Sequence, residues 1–292
     1  MAGTKEIKRR IKSVKNTKKI TKAMELVSAS KMKRAIIAAL GSRAYASYSW
    51  EVLESLSGYV SETSHPLLAK REGVKTLIVF ITSNRGLCGG YNSQITKKVI
   101  AELKKSGPSV DFISVGKKGE AALRRTGQNI VASFNELPDA PKLSDIYPIA
   151  NLAIDAYKKG EYAEIRVAYT DFVSALTQLP QVKTILPVSR EAIAGEIDEA
   201  KAGAHSAPNY TFEPDYETLM SMLVEKVARM RVYQMILESS ASEHSARMLA
   251  MKNASDAAGE MIDELTLAFN KARQAGITQE ISEISAGMAS VS

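Results

Sequence analysis

An apolar heptad runs from Asp215 to about Gly287, and no proline interrupts it. Steps of four and three residues connect eighteen positions, of which fourteen are apolar: Tyr216, Met220, Leu223, Val227, Met230, Gln234, Leu237, Ala241, His244, Met248, Met251, Ser255, Ala258, Ile262, Leu265, Phe269, Ala272 and Gly276. This spacing predicts one long α-helix, because neither a strand nor a solvated loop repeats in this way. At about 1.5 Å per residue the helix would be on the order of 100 Å long, so its apolar seam needs a cover.

A second proline-free stretch, from Thr4 to Ser57, supplies that cover. Its apolar residues also recur at helical spacing, which predicts a helix from the other end of the chain. The two helices can form an antiparallel coiled coil in which each buries the seam of the other. The C-terminal helix is longer by about 18 residues, so about 27 Å of it should have no partner within the chain.

Between the two helices, strand patterns alternate with helix patterns. Strands are predicted at Thr76–Thr82, Asp111–Val115, Asn129–Phe134, Glu164–Ala175 and Gln181–Val188, and helices at Tyr91–Lys105, Lys118–Arg125 and Ser144–Lys158. This order predicts a Rossmann-like α/β domain with a mostly parallel sheet and helices on both faces. The last two strands, joined at Leu179-Pro180, allow an antiparallel hairpin at one edge.

The fold class predicted from these patterns is α/β, with a long antiparallel coiled coil of the terminal helices and an inserted Rossmann-like domain. The expected divisions are an N-terminal coiled-coil helix at 1–62, an α/β domain at 73–190, a linker at 191–214 and a C-terminal coiled-coil helix at 215–292. The linker is assigned from its glycines and prolines and its lack of periodicity.

Charge and cysteine content narrow the possible environments. The formal charge is +7, but residues 1–34 alone carry twelve Lys or Arg against two Glu, so one end of the chain is strongly basic. The longest purely apolar run, Leu77 to Ile81, is far shorter than the roughly 20 residues that a spanning helix needs. With Cys88 as its only cysteine, the chain can form no internal disulfide, and we expect a soluble protein of a reducing compartment.

The sequence motifs do not indicate catalysis. Arg85-Gly86-Leu87-Cys88-Gly89-Gly90 follows a predicted strand, but its spacing matches no phosphate-binding loop, and we interpret it as a tight strand-to-helix turn. No histidine or acid is spaced to activate Cys88, and the three histidines fit no metal or triad pattern. We therefore expect no catalytic, cofactor-binding or metal-binding residues.

Two features leave alternatives open. The basic helix suits an acidic protein partner better than nucleic acid, because Ile7, Ile11 and Val14 need burial and no aromatic residue precedes Tyr45. Its charge and amphipathicity also fit a membrane-surface or calmodulin-type helix. The small residues between Ser239 and Gly259 indicate either close helix packing or a smooth helix surface that can move past several different neighbours. The competing functional hypotheses are an α/β enzyme with a coiled-coil dimerisation arm and a nucleic-acid-binding rod.

Three groups of residues match a known family. They are Ile11-Lys12-Ser13-Val14-Lys15-Asn16-Thr17 with Ile20-Thr21-Lys22-Ala23-Met24, then the segment from Arg85 to Gly90, and finally Phe269-Asn270-Lys271-Ala272-Arg273-Gln274 with Ile277-Thr278-Gln279-Glu280 and Glu283. Through them the chain resembles, over nearly its whole length, the gamma subunit of the F-type ATP synthase, and most closely the bacterial members. It departs once, with Met288 where the family usually has alanine, and a helix tolerates either residue.

The resemblance implies a non-catalytic central rotor stalk that binds no cofactor. Its coiled coil would stand inside a ring of alternating alpha and beta subunits, with the C-terminal tip in an apical bearing. The α/β domain would rest, with epsilon, on the ring of membrane c subunits. Such a subunit serves hydrogen ion transport and ATP synthesis as a peripheral protein on the cytoplasmic face of the bacterial inner membrane.

The same resemblance implies contact residues. Met24, Arg273, Gln274 and Thr278 would meet the beta subunit, and Tyr210 and Glu213 would lie where family members touch the c ring. We expect Arg273 and Gln274 to lie where the longer helix has outrun its partner. The regulatory cysteine pair of the chloroplast type should be absent, since Cys88 is the only cysteine.

Overall fold

The computed structural model describes residues 2–57, 65–69, 71, 73, 75–106, 109–188 and 216–289. The helices are α1 (Ala2–Ser57), α2 (Tyr91–Ser106), α3 (Lys117–Arg125), α4 (Leu143–Lys158) and α5 (Tyr216–Ala289). The strands are β1 (Thr76–Ile81), β2 (Val110–Val115), β3 (Asn129–Phe134), β4 (Glu164–Phe172) and β5 (Gln178–Leu186). Both long helices are therefore confirmed, and α1 continues without a break through Gly41.

The five strands form one sheet in the order β3-β2-β1-β4-β5. The pairs β3-β2, β2-β1 and β1-β4 are parallel, whereas β5 is antiparallel to β4. Every residue of β1 and β2 is buried, and the apolar run from Leu77 to Ile81 in β1 is typical of a strand covered on both faces. The predicted Rossmann-like sheet with an antiparallel hairpin at one edge is thus confirmed.

Successive side chains of β1 point to opposite faces of the sheet and enter two separate cores. Leu77, Val79 and Ile81 belong to a core that includes α4 and the first part of α5, from Val224 to Ile236. Ile78 and Phe80 belong to a smaller core with residues of α2 and α3. Helices consequently cover both faces of the sheet, as predicted.

The turn between β4 and β5 was predicted in the wrong place. The chain reverses at Ser174 and Thr177, whose backbone groups are hydrogen-bonded to each other in both directions at 3.0 and 3.3 Å. Pro180 lies inside β5 and pairs with Thr170. Proline is tolerated there because β5 is an edge strand, where a missing N–H need not break the ladder.

The chain divides into two compact units, one of residues 1–28 and 247–292, which we call the terminal unit, and one of residues 29–246, which we call the sheet unit. Each unit contains parts of both α1 and α5. The predicted domain divisions therefore stay a prediction, and the predicted linker at 191–214 lies outside the described residues.

Candidate functional site

In the terminal unit, α1 shields one narrow stripe, and so does α5 from Met251 onward. Apart from the step from Val14 to Thr21, where Lys18 is exposed, these shielded side chains recur every three or four residues: Thr4, Ile7, Ile11, Val14, Thr21, Met24 and Ser28 on α1, and Met251, Ser255, Ala258, Ile262, Leu265, Phe269, Ala272 and Gly276 on α5. The α5 residues are the heptad positions that the sequence predicted. Two helices packed along single stripes of this kind form a coiled-coil seam.

Lys18 and Gly259 show which residues of the two helices lie opposite each other. The Lys18 side chain is exposed, and a Cβ atom at Gly259 would lie 2.8 Å from its Nζ. The missing side chain at Gly259 makes room for the lysine. Because the helices are antiparallel, fourteen residues before Lys18 lie opposite fourteen residues after Gly259. Thr4 is therefore beside Arg273, and Arg273 is close to the end of the seam.

Beyond Gly276 the character of α5 changes. Every described side chain from Ile277 to Met288 is exposed. Among them Ile277, Ile281, Ile284 and Met288 are 46, 60, 62 and 67% exposed, and their spacing of four, three and four residues places them on one stripe. This uncovered end is about 20 Å long, somewhat shorter than the length expected from the sequence.

The structure places three of the predicted contact residues together. Arg273 and Gln274 are exposed, and the Thr278 hydroxyl donates a hydrogen bond of 3.0 Å to the Gln274 carbonyl. Arg273 and Gln274 lie beside the last seam positions, not beyond them as expected. Met24 is half-buried in the seam and, by the same count from Lys18 and Gly259, lies about 30 Å from Arg273 along the helices. Tyr210 and Glu213 lie outside the described residues.

Polar groups beside the glycine-rich loop, at the carboxyl ends of β1 and β2, are hydrogen-bonded within the sheet unit. The N–H groups of Ser83 and Lys117 donate to the side chains of Asn92 and Asn84, each at 3.1 Å. The Gly119 N–H donates to the Thr82 hydroxyl at 2.8 Å. Backbone donors at the ends of parallel strands would otherwise suit a phosphate, so these bonds favour a structural role for this edge of the sheet.

Two positions explain why glycine is needed near this loop. Gly116 has a φ of +98°, and a Cβ there would lie 2.2 Å from the Thr82 carbonyl oxygen. At Gly119 a Cβ would lie 2.7 Å from the Thr82 hydroxyl. The first turn of α3 therefore packs directly against the end of β1, which no larger residue would permit.

Cys88 is buried within the same loop. The Asn92 amide approaches its sulfur at 3.2 Å and also donates to the Ser83 hydroxyl at 2.7 Å. The thiol thus packs as a small side chain beside the start of α2, in agreement with the interpretation from sequence.

A polar cluster lies at the opposite, amino-terminal edge of the sheet. Asp111 accepts from Lys75 and Tyr162, each at 2.7 Å, and from Asn129 at 2.9 Å. Burial alone would raise the pKa of Asp111, but these three partners together lower it below its usual value. Ligand sites in open parallel sheets generally lie at the carboxyl ends of the strands, so the position of this cluster favours a structural role in joining the strand starts.

Within the described ranges, no group of three or more His, Cys, Asp or Glu side chains could hold a metal ion. None of the helices among those residues carries an apolar stretch long enough to cross a membrane.

Comparison with known proteins identifies the family. A family model described as ATP synthase matches residues 3–291. The ATP synthase gamma chain of Legionella pneumophila (strain Corby) is 39% identical over 294 residues, covering 100% of both chains. This chain belongs to the ATP synthase gamma chain family. The gamma chains of Herpetosiphon aurantiacus, at 44% identity over 98% of both chains, and of Coxiella burnetii (strain CbuG_Q212), at 42% over 100% of both, agree.

Solved structures support the same family. The central stalk and c-ring structure of the Tetrahymena thermophila mitochondrial ATP synthase matches with a TM-score of 0.58 and 27% identity, over 81% of this chain and 99% of that chain. A Euglena gracilis mitochondrial ATP synthase structure in rotational state 3 shares the fold, with a TM-score of 0.68 at 19% identity, over 99% of this chain and 95% of that chain. As a gamma chain this protein is a non-catalytic stalk subunit, which confirms the prediction that it is not itself an enzyme.

Proposed function

We propose that this chain is the central rotor stalk of an F-type ATP synthase. It couples proton-driven rotation of the membrane c ring to conformational changes at the catalytic beta subunits during ATP synthesis, and works in reverse during hydrolysis. The full-length match to gamma chains carries this proposal. The structural relative described as a central stalk with its c ring supports it.

The terminal unit has the asymmetry that such a mechanism needs. Two antiparallel helices with different surfaces cannot present the same face in three directions. Inside a ring of alternating alpha and beta subunits, each beta subunit would therefore meet a different surface, and rotation would change the conformation that each one prefers. Coupling in this scheme is a difference in contact free energy that moves from one beta subunit to the next.

Arg273, Gln274 and Thr278 are our proposed contacts to the beta subunit at the end of the seam. All three are exposed on consecutive turns of α5. A guanidinium beside an amide suits a loop that offers carboxylate and carbonyl oxygens. We place Met24 at a second, separate contact, because the seam holds it far from the other three.

The uncovered apolar stripe on α5 supports a bearing at the C-terminal tip. Ile277, Ile281, Ile284 and Met288 would be costly to leave in water, whereas a surrounding apolar sleeve would shield them in every rotational position. Aliphatic contacts are non-directional, so they would hold the tip on its axis without resisting rotation.

At the other end of the stalk we propose contacts to epsilon and to the c ring, with Tyr210 and Glu213 at the c ring. The subunit would then be a peripheral protein on the cytoplasmic face of the bacterial inner membrane. Its bacterial relatives support this location.

The test is to express the tagged full chain in a bacterium that lacks its own gamma chain. We expect alpha, beta and epsilon subunits to co-purify, and ATP-driven proton pumping to return to the membranes. With the catalytic ring fixed to a surface, a bead attached through a cysteine at Lys117, which is exposed, should rotate in ATP. A chain that recovers neither partners nor pumping would contradict the proposal.

A further inference from the structure

Three serines on α5 face the end of strand β4 in the sheet unit. Ser239, Ser242 and Ser245 are spaced by three residues, so they lie on nearly the same face of the helix. They are 1, 0 and 0% exposed. Buried hydroxyls need hydrogen-bond partners, and those of these serines lie on β4 and the hairpin that follows it.

Two of the serines bind the same residue of β4. The Thr170 N–H donates to the Ser239 hydroxyl oxygen at 3.0 Å, and the Ser242 hydroxyl donates to the Thr170 carbonyl at 3.1 Å. The β1-β4 ladder ends at the pair Phe80 and Ala168, so β4 continues past its neighbour. Backbone groups of Thr170 that β1 cannot reach are thus satisfied by α5.

The third serine binds the hairpin. The Ser245 hydroxyl donates to the Ala175 carbonyl at 2.6 Å, and the Gln178 amide approaches the Ser245 oxygen at 3.5 Å. Ala175 lies in the turn between Ser174 and Thr177. Together the three serines tie two successive segments of backbone to one face of α5, and we call them the serine clamp.

The clamp differs in kind from the rest of the contact between α5 and the sheet. From Val224 to Ile236 the contact with the sheet is made by apolar side chains of the larger core, while Glu225 and Arg229 bind Lys158 and Asn151 of α4. Apolar contact holds surfaces together but is non-directional, so it resists sliding or rotation of the helix only through shape. Hydrogen bonds to a fixed backbone resist such movements directly, because they weaken steeply when their geometry changes.

We propose that the serine clamp transmits torque between the α/β domain and α5. This inference rests on the proposed function, in which the α/β domain stands on the c ring and α5 turns inside the catalytic ring. The three serines are positioning residues: they touch no nucleotide, and they hold the rotational register of α5 on the sheet while the stalk is under load.

The test compares the double variant Ser239→Ala and Ser242→Ala with wild type in the assembled enzyme in membrane vesicles. Ser240→Ala is the matched control, since Ser240 is the neighbouring serine and its hydroxyl makes a long contact of 3.4 Å to the Asp139 carbonyl, away from β4. Three quantities are measured: ATP hydrolysis with the proton gradient dissipated, protons pumped per ATP against a gradient, and hydrogen exchange of the Thr170 amide in the free full chain.

In the double variant, exchange at Thr170 should rise roughly threefold to tenfold, the factor that corresponds to one lost hydrogen bond. Unloaded hydrolysis should stay at the wild-type rate, while protons pumped per ATP should fall as the gradient rises. Ser240→Ala should behave as wild type in all three measurements.

Two results would overturn the torque role. Faster Thr170 exchange with an unchanged pumping ratio would leave the clamp as local structure only. A proportional fall of hydrolysis and pumping would point to assembly or catalysis instead. If the wild-type chain itself fails to restore any pumping, the proposed function fails first, and the inference fails with it.

Discussion

Helix α5 has two regions with very different surroundings. Between Val224 and Ser245 most side chains are buried on several sides of the helix, because the sheet, α4 and α1 all contribute to the sheet unit. From Met251 to Gly276 the shielded side chains lie along one stripe, and from Ile277 onward every described side chain is exposed. One uninterrupted helix can therefore serve as a core element and as an exposed surface, according to how many partners its residues have.

This comparison bears directly on function. A helix held on several sides is fixed within its unit, whereas a helix held along one stripe leaves most of its circumference available to other subunits. The basic side chains of α1 and the polar side chains of α5 in the terminal unit occupy that free circumference. Residues suited to intersubunit contact thus lie in the region that contributes least to the fold.

Three isoleucines on α5 provide the largest expected difference. Ile236 is buried in the core, Ile262 is half-buried in the seam and Ile281 is exposed. Replacement by alanine should lower the free energy of unfolding by about 2–5 kcal/mol at Ile236 and by about 1–2 kcal/mol at Ile262, and should change it by less than about 0.5 kcal/mol at Ile281.

Urea unfolding of the free chain, followed by circular dichroism, measures all three variants. Hydrogen exchange shows which unit each change loosens. Equal losses at Ile236 and Ile262 would mean that the seam is packed as tightly as the core, and the distinction between the two regions of α5 would fail.

Arg273→Ala combined with Gln274→Ala tests the exposed side of the terminal unit. A charge-assisted hydrogen bond contributes about 1.5–3 kcal/mol, so its loss at the beta subunit should slow ATP turnover in the assembled complex about tenfold or more. The free chain should keep its helicity, since neither side chain fills the seam.

Lys271→Ala is a suitable control for this pair, because Lys271 is an exposed cation on the same turn of helix. Steady-state hydrolysis after reconstitution with alpha and beta is compared among the variants. Lost helicity in the free double variant would reassign the pair to structure, and full turnover in the complex would remove it from the contact.

Two glycines of the seam allow a smaller test. Gly276 has nothing within 4 Å of an added Cβ, so Gly276→Ala should stabilise α5 by about 1 kcal/mol through helix propensity. Gly259→Ala should gain less, because the Lys18 ammonium must first move from its position 2.8 Å from the new Cβ. Thermal unfolding of the free chain measures both changes. A loss of stability at Gly259 would show that Lys18 is held in place and is not free to swing aside.

The smallest expected effect is a pH dependence confined to the sheet unit. His65 Nε2 lies 3.2 Å from the Ser221 hydroxyl, and its Nδ1 accepts from the Leu67 N–H at 3.2 Å. Burial, assisted by the nearby Lys158 charge, lowers the pKa of His65 below its ordinary value of 6.5. The unfolded chain therefore binds this proton more readily, so stability should be complete above about pH 6.5 and should fall as the pH drops below it.

Urea unfolding at a series of pH values measures this dependence, and His65→Gln should weaken it. The terminal unit contains no histidine. Hydrogen exchange should therefore locate the acid-sensitive opening in the sheet unit. If opening begins instead in the seam between α1 and α5, His65 is not its cause.

The sequence predicted the helices and strands well, because their signals are local and repeat over many residues. The sixteen described heptad positions of α5 are all buried or half-buried. The turn after β4 was misplaced because Leu179-Pro180 is a stronger local turn signal than Ser174 to Thr177, which contains neither glycine nor proline. Only strand pairing shows that Pro180 belongs to an edge strand.

The candidate contact residues were predicted from the family resemblance, and the structure shows where they lie relative to one another. It grouped Arg273, Gln274 and Thr278, and it separated Met24 from them. The apolar stripe from Ile277 to Met288 was missed, although its spacing of four, three and four residues could have revealed it. It was overlooked because an apolar helix residue is usually assigned to a partner within the chain.

The sequence by itself determined the long helices, the alternation of strands and helices, and the family. All three follow from the periodicity of apolar residues and from short motifs, which are local features of the sequence. Only the tertiary structure decided the meaning of the serines and small residues between Ser239 and Gly259. In the sheet unit, Ser239 and Ser242 bind the backbone of β4, while Ser255 and Ala258 lie in the seam of the terminal unit and Gly259 makes room for Lys18. Small side chains carry little information about their partners, since their roles depend on which surface approaches them closely.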